Sequence, residues 1–381
     1  MSEQLPPWLW PRAAYVHIPF CAYHCGYCDF AVATGADHLI DDYLSALACE
    51  LATLGTPQHV QTLFLGGGTP THLSAEQLDR LFALLAKWLI VAPDGERSIE
   101  ANPDSLSVEK IAVLAHWGIN RVSLGGQSFR PELLQVLDRQ HDPTQIVRAI
   151  ERLRGRIPQV SLDLIFGVPG QSADHWRSDL HTALQLGVSH LSTYGLTYEK
   201  GTPLWKRRRA GRLYPLSEDE ELHLYRLAID ELEAAGFEHY EISNFALPGA
   251  RSRHNQIYWA NEAYFGFGLG AARYVLGRRE VNTRDLRGYI RKAQTGESVT
   301  QQAEELPPRE RARETMAVQL RRAEGIDHQA FARQTGFELS EIASTALPFL
   351  IEQGWLVQQA GRTYLSRSGK YVADAVIERL L

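Results

Sequence analysis

The chain predicts an α/β fold built on a parallel sheet, followed by a smaller, mostly helical domain. Three observations carry this reading. Six short apolar runs of strand length recur between residues 13 and 197. Longer amphipathic stretches of helical period lie between them. A polar stretch ending in Pro-Pro then sets off a differently patterned C-terminal piece. Strand–helix alternation requires crossover connections, which make the strands parallel and cover both sheet faces.

In chain order, AAYVHI (13–18) is the first strand, and a helix near 38–54 returns the chain to TLFLGG (62–67). A helix near 74–90 leads to RSIEAN (97–102), and one near 107–117 leads to RVSLGG (121–126). A single long helix over 131–153 precedes VSLDLIFG (160–167), and a crossover near 172–186 ends at HLSTYGLT (190–197). Each strand run is short and apolar, as a strand covered on both faces must be, and each helical stretch repeats its apolar residues at helical spacing.

A boundary is expected near 296–308, within GESVTQQAEELPPRE, because the Pro-Pro pair breaks regular structure. It divides residues 1–300 from residues 301–381. The second piece reads as helices in RERARETMAVQLRR, HQAFARQTG and LSEIASTALPFLIEQG, then a hairpin, WLVQQAGRTYLSRSG, with an Ala-Gly turn. That order resembles a winged helix. From residue 306 onward there are ten Lys/Arg against nine Asp/Glu, and LSEIASTALPFLIEQG carries no cation. Binding to phosphates needs clustered cations, so this domain is read as a packing or partner-docking module, with no nucleic acid among its partners.

Composition sets the outer bounds. With 381 residues, 44 % of them apolar, the chain can bury a large core. Its net charge of -6 gives no global affinity for nucleic acid or membranes. MSEQLPPWLWPR lacks a basic start followed by an apolar core, so a secretory signal is not expected there. No apolar run approaches the roughly 20 residues a membrane span needs. Four cysteines in a chain of this length are not a disulfide framework, and a cytoplasmic location is the expectation.

Three of those cysteines, Cys21, Cys25 and Cys28, fall inside YVHIPFCAYHCGYCDF (15–30). Thiols this close read as a metal site. Zinc with His17 or His24 as fourth ligand is one alternative, although structural zinc usually takes two separated pairs. Three thiolates without a fourth partner suit a four-iron cluster that keeps one iron open. Cys49, in the helical DDYLSALACELATLG, is expected to be a small buried core residue.

The CxxxCxxC spacing just after a strand, with an aromatic before the last cysteine, resembles the radical S-adenosylmethionine (SAM) superfamily. The resemblance implies a partial (β/α)6 radical SAM barrel with the winged-helix-like domain behind it. It also implies a [4Fe–4S] cluster on Cys21, Cys25 and Cys28, with SAM chelating the open iron and cleaved, in the superfamily, to a 5′-deoxyadenosyl radical. Ligands of parallel α/β folds sit at the carboxyl ends of strands. FLGGGTPT (64–71), after the second strand, is implied to contact SAM through Gly67, Gly68 and Thr69. Glu100, Gln127, Arg139 and Asp163 fall at matching strand ends, and Tyr15 and Tyr27 complete the implied SAM set.

YVHIPFC, GGGTPT, LDLIFGVPGQ, HLSTYGLTYEKGTPL, YEISNFA and HNQIYW together resemble the coproporphyrinogen oxidase-like branch, and within it the HemW-type haem chaperones. The likeness runs from about residue 13 to the C-terminus. True oxygen-independent coproporphyrinogen III oxidases carry a further cysteine two places after the last cluster ligand, where this chain has Phe30. The HemW-type subgroup carries HNxxYW, present here as His254 to Trp259. The resemblance implies haem as cargo, haem-accepting apo-proteins such as respiratory enzymes as partners, and haem contact by His254, Asn255, Tyr258 and Trp259. Porphyrin biosynthesis, by the oxidase reaction, is the alternative.

Elimination points to the same motif. Haem iron normally takes His, Cys, Met or Tyr. The only methionines are Met1 and Met316, three cysteines are committed, and His254 alone among 14 histidines sits beside a Tyr-Trp pair. Histidine or tyrosine is left, and with the resemblance His254 is the leading candidate for axial ligand; on the residues alone, a half-buried histidine supporting the end of the barrel is favoured. After the motif, YFGFGLGAARY reads Ala272-Arg273 where the family is expected to carry a serine. Arg273 is either a partner for a haem propionate or a surface residue. The strongest basic run, KRRR at 206–209, reads as a solvated face, with propionate or membrane-surface contact as the sharper alternative. A homodimer stays open.

Overall fold

The computed structural model describes residues 5–381. Six parallel strands form the frame: β1 (Ala13–Ile18), β2 (Gln58–Gly67), β3 (Leu89–Ala101), β4 (Arg121–Gln127), β5 (Gln159–Phe166) and β6 (His190–Gly195). All six coincide with the runs expected from the sequence, although three of those runs overshoot the strand ends by one or two residues. Three short strands that the sequence did not announce extend the sheet: β7 (Glu238–Glu241), β8 (Asn244–Ala246) and β9 (Phe265–Phe267). The order is β9-β1-β2-β3-β4-β5-β6-β8-β7, with β9 parallel to β1, and β8 and β7 antiparallel. Strands of three or four residues carry too little periodicity to be read locally.

Helices cover the outer face: α1 (Ile40–Ala52), α2 (Ala75–Trp88), α3 (Val108–His116), α4 (Pro131–Val136), α5 (Pro143–Leu153) and α6 (Ala173–Gln185). Ser74, Asp142 and Ser172 start three of them, each side chain accepting from a first-turn backbone N–H in a capping box. The single helix expected over 131–153 is in fact two. Asp138 takes φ 56°, Asp142 caps a new start, and Pro143 holds its first position. The break matters for function, because Arg139 lies in it.

Cys49 is exposed, not buried as expected. Helix α1 buries Ile40, Tyr43, Leu44, Leu47 and Leu51, and one further turn of about 100° places Glu50, not Cys49, against the core. Burial raises the Glu50 carboxyl above its ordinary range, while donors from Tyr289, Gly268 N–H and Asn282 pull it back.

Beyond β6 come α7 (Pro203–Arg209), α8 (Glu218–Ala234) and α9 (Arg253–Trp259). A small antiparallel sheet, β10 (Ala272–Val275), β11 (Arg278–Asn282) and β12 (Thr300–Glu305), carries α10 (Leu286–Thr295) between its second and third strands. A second, separate apolar core begins at Ala312 and runs to Leu380. It joins α11 (Pro308–Gln319), α12 (His328–Thr335), α13 (Leu339–Ile342), α14 (Ala346–Glu352), α15 (Arg367–Tyr371) and α16 (Ala373–Leu380) to a three-stranded sheet. That sheet is β13 (Ile326–Asp327), β14 (Leu356–Gln359) and β15 (Arg362–Leu365). The expected hairpin is present, with Ala360 at φ 51° and Gly361 at φ 74°. Among the described residues, no helix is long and apolar enough to cross a membrane.

Candidate functional site

A cavity of about 570 Å³ opens at the carboxyl ends of the barrel strands. Strand alternation explains its polar floor. Glu100 on β3, Ser123, Gly125 and Gln127 on β4, and Asp163 and Ile165 on β5 are spaced by two, so they share the inward face. Gly67, Gly68 and Thr69 line it from the turn after β2, and Tyr27 and Arg139 from the loops. Cys21, Cys25 and Cys28 form one wall. Thus every residue expected to hold the cluster or SAM lines this cavity except Tyr15. Tyr15 lies one layer deeper, its hydroxyl 3.1 Å from His17 Nδ1 and its ring stacked on Phe64. Tyr23, Asn102, Tyr194, Thr197 and Glu199 also line it and were missed. Asn102 was the findable one, two residues after Glu100 on the same strand end.

Burial pushes the Cys21 thiol up to about 12, partly offset by a hydrogen bond from Thr69, and pushes Cys28 up to about 11. Such thiols become thiolates only beside a strong cationic centre, which a bound metal supplies. Among the described residues no three His, Cys, Asp or Glu side chains converge as a mononuclear metal set. The three thiols instead line one common cavity. Arg139 Nη1 reaches Cys25 Sγ at 3.2 Å, its Nη2 reaches Asn102 Oδ1 and the Gly125 carbonyl at 2.8 Å, and its buried Nε has no partner. Buried donors are normally satisfied, so this one suits a carboxylate guest.

The acidic side is equally prepared. Gly67 N–H donates to Glu100 Oε2 at 2.9 Å, and Ser123 Oγ donates to Asp163 at 3.1 Å. Burial nevertheless raises Glu100 to about 7 and Asp163 to about 6. Carboxylates poised this way suit an ammonium and hydroxyls, so the donor set fits SAM. Gly68 matters differently from the expected close approach to a ligand. A Cβ there would lie 2.6 Å from the Pro19 carbonyl oxygen, so a side chain would displace the cysteine loop itself. Gln127 holds φ 67° while buried, a strained conformation of the kind found at functional sites.

Because both folded carboxyl values lie above the ordinary ones, folding favours their protonated forms. This stability is fully present below about pH 4 and is lost as pH rises through about 6 and then 7. The cluster-free protein should therefore show a falling thermal midpoint over this window, measured by calorimetry. Glu100→Gln with Asp163→Asn should flatten the profile, and an unchanged slope would refute the assignment.

The HNQIYW residues sit at the other end of the barrel. Helix α9 packs against β2, and Glu96 on β3 accepts at Oε1 and Oε2 from His254 N–H at 3.0 Å and Arg253 N–H at 2.9 Å. His254 is buried, stacked on Phe64, with Nδ1 2.8 Å from Thr62 Oγ1 and Nε2 2.9 Å from the Tyr258 hydroxyl. Neither ring nitrogen is open to iron in this arrangement, and burial lowers its pKa to about 3, keeping the ring neutral. Asn255 continues the cap, its N–H donating to Ser252 Oγ at 3.2 Å, and Arg321 lies 5.2 Å over the Trp259 ring. Arg273, the residue weighed as a propionate partner, is paired with Glu280.

Residues 15–183 match the family model described as the radical SAM superfamily, and residues 306–372 match the HemN C-terminal domain. The haem chaperone HemW of Bacillus subtilis (strain 168) is 37 % identical over 376 residues, covering 97 % of this chain and 99 % of that protein. HemW of Escherichia coli (strain K12) is 32 % identical, covering 97 % and 98 %. The mouse mitochondrial radical S-adenosyl methionine domain-containing protein 1 is 32 % identical, covering 97 % and 87 %. Among solved structures, the coproporphyrinogen III oxidase HemN of Escherichia coli superposes with a TM-score of 0.86 at 22 % identity, covering 100 % of this chain and 92 % of that one, a likeness of fold.

Proposed function

We propose a function from the premise that this chain belongs to the HemW haem-chaperone family within the radical SAM superfamily: it binds haem and passes it to haem-accepting apo-proteins. The observation that carries this reading is likeness to HemW over nearly the whole length of both chains, joined to Phe30 at the place where the oxidases are expected to carry a further cysteine. Phe30 lines the cavity and is 65 % exposed. An apolar ring there can neither donate nor ligate as a thiol does.

In this reading Cys21, Cys25 and Cys28 hold a [4Fe–4S] cluster, and Gly67, Gly68, Thr69, Glu100, Gln127, Arg139, Asp163 and Tyr27 surround SAM. Together these groups supply one-electron chemistry when bound. Arg139 receives the carboxylate of SAM at its free Nε, Glu100 its ammonium, and Asp163 with Ser123 its hydroxyls. Tyr15 acts from beneath, holding His17, whose Nε2 is 2.8 Å from the Ala31 carbonyl and so braces the cysteine loop. His254, Asn255, Tyr258 and Trp259 belong to the haem-linked motif through the support they give the barrel. Three thiols facing a shared cavity call for a reducing compartment, which supports a cytoplasmic location.

Full-length protein reconstituted anaerobically with iron, sulfide and SAM is expected to bind about one haem per chain. It should form no protoporphyrinogen IX from coproporphyrinogen III under reducing conditions. Fluorescent protoporphyrin after oxidation of the assay would overturn the chaperone reading in favour of the oxidase.

A further inference from the structure

We propose that haem docks across the lip of the cysteine-lined cavity, its macrocycle on Phe30 and its propionates on the cations of α7. This rests on the haem-binding reading and names the site for it.

The cavity is divided by chemistry. Its floor is charged, with Glu100, Asp163 and Arg139, and Phe30 stands exposed among its lining residues. Phe30, 65 % exposed, is one of the large apolar side chains most open to solvent and lines this cavity, whereas Tyr194 lies deeper, its hydroxyl on the side of Ser192, Asp163 and Glu100. An exposed ring at the opening of a cavity suits a flat conjugated guest, because aromatic faces pack well on one.

The cations stand beside that lip. Helix α7 is fastened to the cysteine loop by the Leu204 N–H, which donates to the Gly26 carbonyl at 2.8 Å, and by an ion pair between Arg207 and Asp138. The Arg208 guanidinium lies 4.8 Å over the ring of Tyr198, whose chain neighbours Thr197 and Glu199 line the cavity. Lys206, Arg208 and Arg209 are exposed, and among the described residues none has a carboxylate within 4 Å. The acidic groups near this patch are Asp138, paired with Arg207, Glu221, which faces Arg208, and Glu199, which lines the cavity. Haem complements both halves of the surface, since it carries an apolar face and two carboxylates at one edge, and guanidinium matches carboxylate geometry. At the opposite end of the barrel both His254 nitrogens are already engaged.

The test titrates haem and haem dimethyl ester into the cluster- and SAM-loaded full chain, read at the Soret band. The proteins compared are wild type, Phe30→Asp, and Arg208→Glu with Arg209→Glu. Both variants should bind haem about tenfold or more weakly, with iron, sulfide and SAM affinity unchanged. The ester should bind wild type as weakly as haem binds the charge-reversed protein, and should not respond to charge reversal. Wild-type haem affinity in both variants would overturn this site while leaving the chaperone reading intact. Failure of wild type to bind haem would remove that reading itself. If charge reversal abolished binding only to vesicles containing anionic lipid and left haem binding unaltered, the patch would be a membrane contact and the proposal would fall.

Discussion

Replacing any one of Cys21, Cys25 and Cys28 with Ala is expected to abolish the iron–sulfur chromophore of the reconstituted protein. Each thiol is one of only three on the cavity wall. Burial drives Cys21 and Cys28 far from the thiolate, so each must gain its charge by binding metal, and a site with two thiolates loses a third of its ligands. No neighbour stands in: His24 Nε2 is 3.0 Å from the Cys28 carbonyl oxygen, and His17 is held by Tyr15 and the Ala31 carbonyl. Cys49→Ala should leave the chromophore intact, because that side chain faces solvent on α1. Iron and sulfide analysis with visible absorption decides the matter. A full cluster in any trio variant, or its loss in Cys49→Ala, would overturn the ligand set.

The second large effect lies at the other end of the barrel, in a place with no proposed chemistry. Arg121→Met is expected to destabilise the protein by roughly 3–5 kcal/mol, the cost of breaking a buried ion pair by removing one partner. Arg121 Nε pairs with Glu96 at 3.2 Å, Nη1 reaches Ser161 Oγ at 3.2 Å, and Nη2 reaches the Ala250 carbonyl at 2.8 Å. Both ion-pair partners are almost wholly buried. Glu96 in turn caps the helix carrying His254. Without the guanidinium, a buried carboxylate keeps only backbone and hydroxyl donors, and the chain entering α9 loses its anchor. Adding Glu96→Gln should recover part of the loss, since the uncharged pair no longer strands a charge. Chemical denaturation would measure both. A single variant within about 1 kcal/mol of wild type, where ordinary substitutions fall, would show that the pair does not secure the helix.

The predicted pieces were legible where a signal is local. A strand run announces itself by its own apolar residues, and all six were found, although β3 begins eight residues and β2 four residues before the runs that announced them. The Ala-Gly turn of the last hairpin was readable because its two positive φ angles are a property of those two residues. The cysteine trio and the glycine run were readable as spacings, and both line the cavity.

Other features were settled by residues far apart in the chain. Whether Cys49 or Glu50 faces inward depends on where α1 meets Gly268, Asn282 and Tyr289, a choice of about 100° that helical period alone does not fix. The break at Asp138 to Asp142 puts Arg139 against Cys25, 114 residues away. The HNQIYW residues were read as a haem-contacting motif on the strength of the family resemblance, since on their own chemistry a structural histidine was the favoured reading. Their orientation was decided by Glu96 and Thr62, 158 and 192 positions before His254. The sequence alone determined which residue types were available and which short elements they formed. Tertiary structure alone decided which of their atoms remained free, because a buried hydrogen bond to a distant partner uses a donor or acceptor that local sequence leaves open.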